Sequence, residues 1–186
     1  VIAPWAQPLN VVIELCAAAV RAGSETGDLF FACSAWRNIA HAYLLQGAPL
    51  DAVWRESEKG LAFARQVKFQ DGVDVMVSQL RFIASLQGRT ARVPSFDEAA
   101  FEARLGEGRT PVWVCQYWLL KMQACYLSGD HVAALAASRR TKALLCTLAG
   151  HPMLLLDCHY YAARVGAAGE LRRVLPVVSA LSAEGL

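Results

Sequence analysis

Charge is scarce in this sequence, and it comes in no runs. Only 18% of the 186 residues are Asp, Glu, Lys or Arg, and the net charge is +2. The longest basic stretches are the pairs Arg139-Arg140 and Arg172-Arg173. Such a distribution argues against a nucleic-acid or polyanion surface, which needs clustered cations. Long apolar runs are missing too: none reaches the roughly 18 uncharged residues of a membrane span. The apolar N-terminus is broken by Pro4 and Pro8 and has no basic leader. It does not read as a signal peptide.

The short motifs of catalysis are also missing. There is no G-x-x-x-x-G-K-[ST] phosphate loop, no H-R-D or D-F-G, and no G-x-S-x-G elbow. The histidines at 41, 131, 151 and 159 form no H-E-x-x-H pattern. Asp157-Cys158-His159 is the densest group of ligating side chains. Successive helix positions point about 100° apart, so these three cannot converge on one metal. Six cysteines, at 16, 33, 115, 125, 146 and 158, include no C-x-x-C pair. They are expected as reduced, mostly buried thiols of a cytoplasmic protein. No metal, no cofactor and no catalytic residue is expected.

What the chain does have is helical periodicity with clear punctuation. Hydrophobic residues make up 55% of it, much of that Ala, a strong helix former. One helix is expected from Leu9 to Ala22, ending at Gly23. A second is capped by Asp28 and runs to Gln46. Pro49 opens a third, with Leu50, Val53, Trp54, Leu61 and Ala64 on one face. A fourth runs from Gly72 to Leu86. Ser95-x-x-Glu98 reads as a capping box for a short helix. Thr110-Pro111, Asp130 and Pro152 open three more, and Pro176 is expected to kink or split the last.

Four helix ends look alike: "AYLLQG", "IASLQG", "ACYLSG" and "RVGAAG", ending at Gly47, Gly88, Gly129 and Gly169. The intervals are 41, 41 and 40 residues. Glycine at a helix C-terminus accepts the left-handed conformation at little cost. A fixed period with two helices per unit marks an array of stacked hairpins, each burying its apolar face on its neighbours. The expected fold is therefore all-α: antiparallel helical hairpins in a tetratricopeptide-like superhelix, residues 1–186 forming one domain.

Several blocks carry a family resemblance. They are "GDLFFACSAWRNIAHAYLLQGAPLDAVWRESEKGLAFARQVKF" (27–69), "QLRFIASLQG" (79–88), "FDEAAFEARL" (96–105) and "YWLLKMQACYLSGDHVAALAAS" (117–138). In this order they resemble the helical region of large bacterial signalling hybrids. Those proteins join a serine/threonine kinase, an AAA-like ATPase, a tetratricopeptide-like region, a GAF domain and a sensor histidine kinase. The resemblance spans about 1–165, weakens at "CTLAGHPMLLLDCHYY" and stops at "VGAAGELRRVL". It implies a non-catalytic module between enzymatic domains of a two-component signalling protein, and a chain cut from a larger one.

Polar side chains inside the apolar helices are the candidate binding residues. Asn38 and His41, Gln79 and Arg81, and Lys121 and Gln123 lie six to nine residues before Gly47, Gly88 and Gly129 respectively. If the hairpins stack in register, these groups share a height and would line one groove, with Trp118 beside Lys121. The alternative is that they satisfy hydrogen bonds between helices or simply reach solvent. Trp36, Tyr43, Trp54, Trp113, Tyr117 and Trp118 read mostly as core, with an aromatic binding platform as the alternative. The expected partner is a protein or peptide, a flanking domain, or a second copy of the chain, since neither Val1–Ala6 nor "VLPVVSALSAEGL" forms a polar cap. A small-molecule sensor with an apolar pocket between helices is the other reading. It would respond to apolar metabolites and not to peptides.

Overall fold

A computed structural model describes residues 7–89, 96–106, 108–149 and 151–183, with the side chains of 152 and 169–183 excepted. Among the described residues there are eight α-helices and no strand. They are α1 (Leu9–Thr26), α2 (Leu29–Leu45), α3 (Leu50–Gln66), α4 (Gln70–Leu86), α5 (Glu98–Arg104), α6 (Pro111–Leu127), α7 (His131–Ala143) and α8 (Pro152–Ala183). A 3₁₀ turn, Leu145–Leu148, lies before α8. The all-helical expectation holds, and neighbouring helices pack on one another: α1 on α2, α2 on α3 and α4, α3 on α4, and α7 on α8. Two compact units are described, Val1–Trp113 and Val114–Leu186. The boundary falls inside α6.

The corners carry the repeat. Gly47 N–H donates to Leu44 O and Ala48 N–H to Tyr43 O, both at 3.0 Å. Forty-one residues on, Gly88 donates to Ser85 O at 3.1 Å and Arg89 to Ala84 O at 2.8 Å. These paired bonds satisfy the last carbonyls of each helix and need a left-handed residue between them. Gly47 and Gly88 supply it, with φ of 70° and 64°, and Gly129, at φ 83°, ends its helix with a bond to Tyr126 O at 3.2 Å. Among the described residues, the left-handed ones are Gly27, Gly47, Lys68, Gly88, Gly108 and Gly129, a corner every 20 or 21 residues. Lys68, at φ 54°, ends α3 with the same bonds: Lys68 N–H to Arg65 O at 3.1 Å and Phe69 N–H to Ala64 O at 3.0 Å. It is the corner that glycine counting misses.

Aspartates start the helices as expected. Asp28 accepts from Phe31 N–H at 3.2 Å and Asp130 from Ala133 N–H at 3.0 Å. The cap of α5 is Asp97, which accepts from Ala100 N–H at 3.0 Å. Ser95, the expected cap, lies outside the described residues. Three expected breaks are corrected. Helix α1 continues through Gly23 and ends at Gly27, because Gly23 is where α2 comes close: a Cβ there would stand 3.0 Å from Ala32 Cβ. Gly169 and Pro176 both lie within α8, which runs unbroken from Pro152 to Ala183. An interior proline removes one backbone bond, and here the helix carries on past it.

The core of the first unit is built on close approach. Val53 and Trp54 of α3 pack with Ala40 of α2 and with Leu80, Ile83 and Ala84 of α4. A Cβ at Gly72 of α4 would lie 2.6 Å from Cys33 Sγ of α2, and one at Gly60 of α3 would lie 2.8 Å from Met76 Sδ of α4. Hydrogen at Gly72 lets α2 and α4 meet, while at Gly60 the nearest atom is the flexible end of Met76. Phe30, Phe69 and Trp113 form an aromatic group, with Phe30 stacked on Trp113 at 5.0 Å. The second unit buries Leu119, Met122, Ala134, Ala137, Leu154 and Val165.

Candidate interaction site

In the first unit the expected binding residues differ in exposure: Gln79 is buried, and Asn38, His41 and Arg81 are partly exposed. Gln79 is buried, and its Nε2 donates to the Arg37 carbonyl at 3.4 Å across the α2–α4 interface. Arg37 is itself buried and donates from Nη2 to Asn38 Oδ1. His41 lies one turn on, half-buried. Loss of solvent, followed by the Arg37 charge, pulls its pKa down from 6.5 to about 4, so its imidazole is neutral near pH 7. Arg81 is occupied outward. Its guanidinium lies 3.9 Å from the Phe96 ring centroid and 3.6 Å from Glu98 Oε1. It holds the start of α5 against α4. Of these four residues, Gln79 and Arg81 reach across to another element.

A further structural cluster sits at the start of α4. Asp71 accepts from Arg109 Nη1 at 2.9 Å, from the Thr110 N–H at 3.0 Å and from the Thr110 hydroxyl. Burial alone would raise the Asp71 pKa, but the bonds from Thr110 and Arg109 outweigh it and hold the carboxyl below its usual range. Arg109 also reaches Asp74 Oδ2 at 3.6 Å. No local signal announces this clasp, because its halves lie 38 and 39 positions apart.

The second unit is different. Gln123 is buried, but Trp118 and Lys121 are both partly exposed on α6. Lys121 Nζ lies 5.5 Å from the centroid of the Trp118 ring, and the Arg140 guanidinium of α7 lies 5.7 Å from it. Both are within cation–π range of the indole, the most electron-rich side-chain face. Tyr117, itself buried, meets Trp118 edge-on at 5.0 Å. The charged residues of α6 and α7 are Lys121, Arg139, Arg140 and Lys142, all cations. The last three lie exposed in the final turns of α7, where a helix C-terminus favours positive charge.

Arg140 is the residue missed in the sequence, although its signal is there. Trp118 lies eleven residues before Gly129 and Arg140 eleven after it. Across an antiparallel hairpin, positions equidistant from the corner share a height. The pair Arg139-Arg140 is visible as a basic dipeptide, but its neighbour is found only by folding the hairpin.

Among the described residues, no group of three or more His, Cys, Asp or Glu is placed to hold a metal ion. No described helix is long and apolar enough to cross a membrane. Comparison with protein-family models, curated proteins and solved structures returns no match for the chain.

Proposed function

We propose that this chain is a non-catalytic interaction module, a tetratricopeptide-like stack of helical hairpins within a bacterial signal-transduction protein. Its partner is an acidic segment of another protein or of a flanking domain. The observation that carries the reading is the partly exposed Trp118 indole with Lys121 and Arg140 both within 6 Å of its ring. A partly buried tryptophan flanked by cations is the composition of an interface anchor. Its apolar face gives area at small entropic cost, while the cations select carboxylates and repel basic segments. The polar residues of the first unit supply rigidity rather than contacts. The 20-residue rhythm of corners supports the repeat architecture, and the resemblance supplies the signalling context.

The test is a binding panel. Acidic, neutral and basic peptides of equal length and matched aromatic content are titrated calorimetrically into the purified chain at low and moderate salt. Preference for the acidic set, weakening as salt rises, supports the reading. Equal affinity across the panel, or none, removes it.

A further inference from the structure

Helix α8 is apolar on two opposite faces. One face is used within the second unit, where Leu154, Cys158 and Val165 are buried. Two positions after each of these stand Leu156, Tyr160 and Ala167, about 200° round the helix. Leu156 is 52% and Tyr160 55% exposed, and Ala163 and Ala167 are exposed with them. A helix apolar on opposite sides is ordinarily covered on both. The exposed residues follow one another at spacings of four, three and four, which is the seam of a two-helix coiled coil.

We infer that this seam is a dimer interface, covered by the same α8 of a second copy packed antiparallel about a two-fold axis. Its side-chain sizes are self-complementary. With the axis level with the peptide bond between 161 and 162, Tyr160 faces Ala163 of the second copy and Leu156 faces its Ala167. Every layer then sets a large side chain on a small one. Its charges are self-complementary as well. Asp157 and Arg164 lie seven positions apart, two turns along one edge of the seam. In an antiparallel pair like edges adjoin, so in this same register Asp157 of each copy lies beside Arg164 of the other. Arg164 is exposed, and its Nε donates to the Tyr126 hydroxyl at 3.0 Å. The Nη groups of the fork can still take a carboxylate.

A parallel pair fits less well. It would stack Tyr160 on Tyr160 and Ala163 on Ala163, and would bring Arg164 beside His159 instead of a carboxylate. The helix is long enough for the contact, with 32 residues from Pro152 to Ala183. In the antiparallel register about 20 of them overlap, a shared length of roughly 30 Å. The seam is separate from the Trp118 site, whose residues are on α6 and α7. If Trp118 is the anchor proposed above, the dimer presents it twice, and tandem acidic segments gain avidity.

The test is sedimentation equilibrium of the full chain from micromolar to submillimolar concentration, with circular dichroism to check the folding of each variant. A dimer mass is expected. Ala163→Glu places a good helix former at an exposed position. It should leave the helical signal intact and weaken dimerisation at least about tenfold. Asp157→Arg sets two guanidinium groups together and should weaken it several-fold. Adding Arg164→Asp exchanges the charges and should restore it. Should Ala163→Glu fail to fold, the charge exchange decides alone. A monomer mass throughout overturns the proposal. So does a dimer indifferent to Ala163→Glu, or a double exchange no tighter than Asp157→Arg alone.

Discussion

Arg109 Nη1 donates to Asp71 Oδ1 at 2.9 Å, closing a loop that returns the chain from α5 to the first turn of α4. With the two bonds from Thr110 it pins the start of α6 to the first unit. Removing the carboxylate takes the acceptor from the Thr110 donors and the shortest bond from Arg109. Asp71→Ala is expected to cost about 2 kcal/mol, the size of a charge-assisted hydrogen bond discounted for partial exposure. In a chain this long that is a fall in Tm of roughly 4–8 °C. Thermal unfolding checks it, and a shift under about 1 °C would make the clasp ornamental. The sign with pH follows from the lowered Asp71 pKa. The folded carboxylate holds its charge more tightly than the unfolded one. Its contribution is present above the unfolded value and is lost as pH falls through the carboxylate range.

His41 gives a second acid limb. Its folded pKa of about 4 lies below the 6.5 of a free imidazole. The unfolded chain therefore takes up the proton first as pH falls from 6.5 toward 4, and stability declines over that window. The full effect is at most about 3 kcal/mol, and partial exposure reduces it. Urea titrations at several pH values should show a steeper slope between pH 6.5 and 4 in the wild type than in His41→Gln. Equal slopes would remove the buried neutral imidazole.

Two glycines test the packing of α2, α3 and α4. Gly72→Ala places a Cβ 2.6 Å from Cys33 Sγ, a fully buried atom on a short side chain. The helix-propensity gain of about 1 kcal/mol is smaller than the overpacking cost of roughly 1–3 kcal/mol. Net destabilisation is expected. It should shrink when Cys33→Ala is added, because the small side chains then share one space. Gly60→Ala meets the mobile end of Met76 and should cost less. Additive losses at positions 72 and 33 would contradict this geometry.

The corners give a paired prediction of opposite sign. Gly88→Ala forces a side chain into the left-handed region at φ 64° and should destabilise by about 1 kcal/mol. Lys68→Gly relieves the same strain at φ 54°. Part of that gain is returned as unfolded-state entropy, so a stabilisation below about 1 kcal/mol is expected. Chemical denaturation of both variants checks the pair. A loss of stability in Lys68→Gly would contradict the equivalence of the corners.

Much of the helical order is legible in the sequence because its signals are local. Asp28 and Asp130 cap within three residues, and Gly47, Gly88 and Gly129 end helices through bonds to the preceding turn. Other features depend on what lies across an interface. Gly23 reads as a stop but is a contact point for Ala32. Lys68 takes a corner that composition assigns to glycine. Of the candidate groove residues, Gln79 and Gln123 are buried, and polarity along one helix cannot separate a buried amide from an exposed one. Arg81 is drawn to Phe96 and Glu98 beyond the next corner. Trp118 and Lys121 lie one turn apart and could be paired from spacing alone, whereas Arg140 joins them only through the α6–α7 hairpin.

The most direct test of the proposed binding role is charge reversal at the indole. Lys121→Glu with Arg140→Glu changes two side chains at the partly exposed edge of α6 and α7. Calorimetric titration with the tightest acidic peptide of the panel is expected to show at least about tenfold weaker binding, equivalent to roughly 1.4 kcal/mol, with Tm nearly unchanged. Acidic-peptide affinity that survives the double reversal in a folded chain would contradict recognition at Trp118.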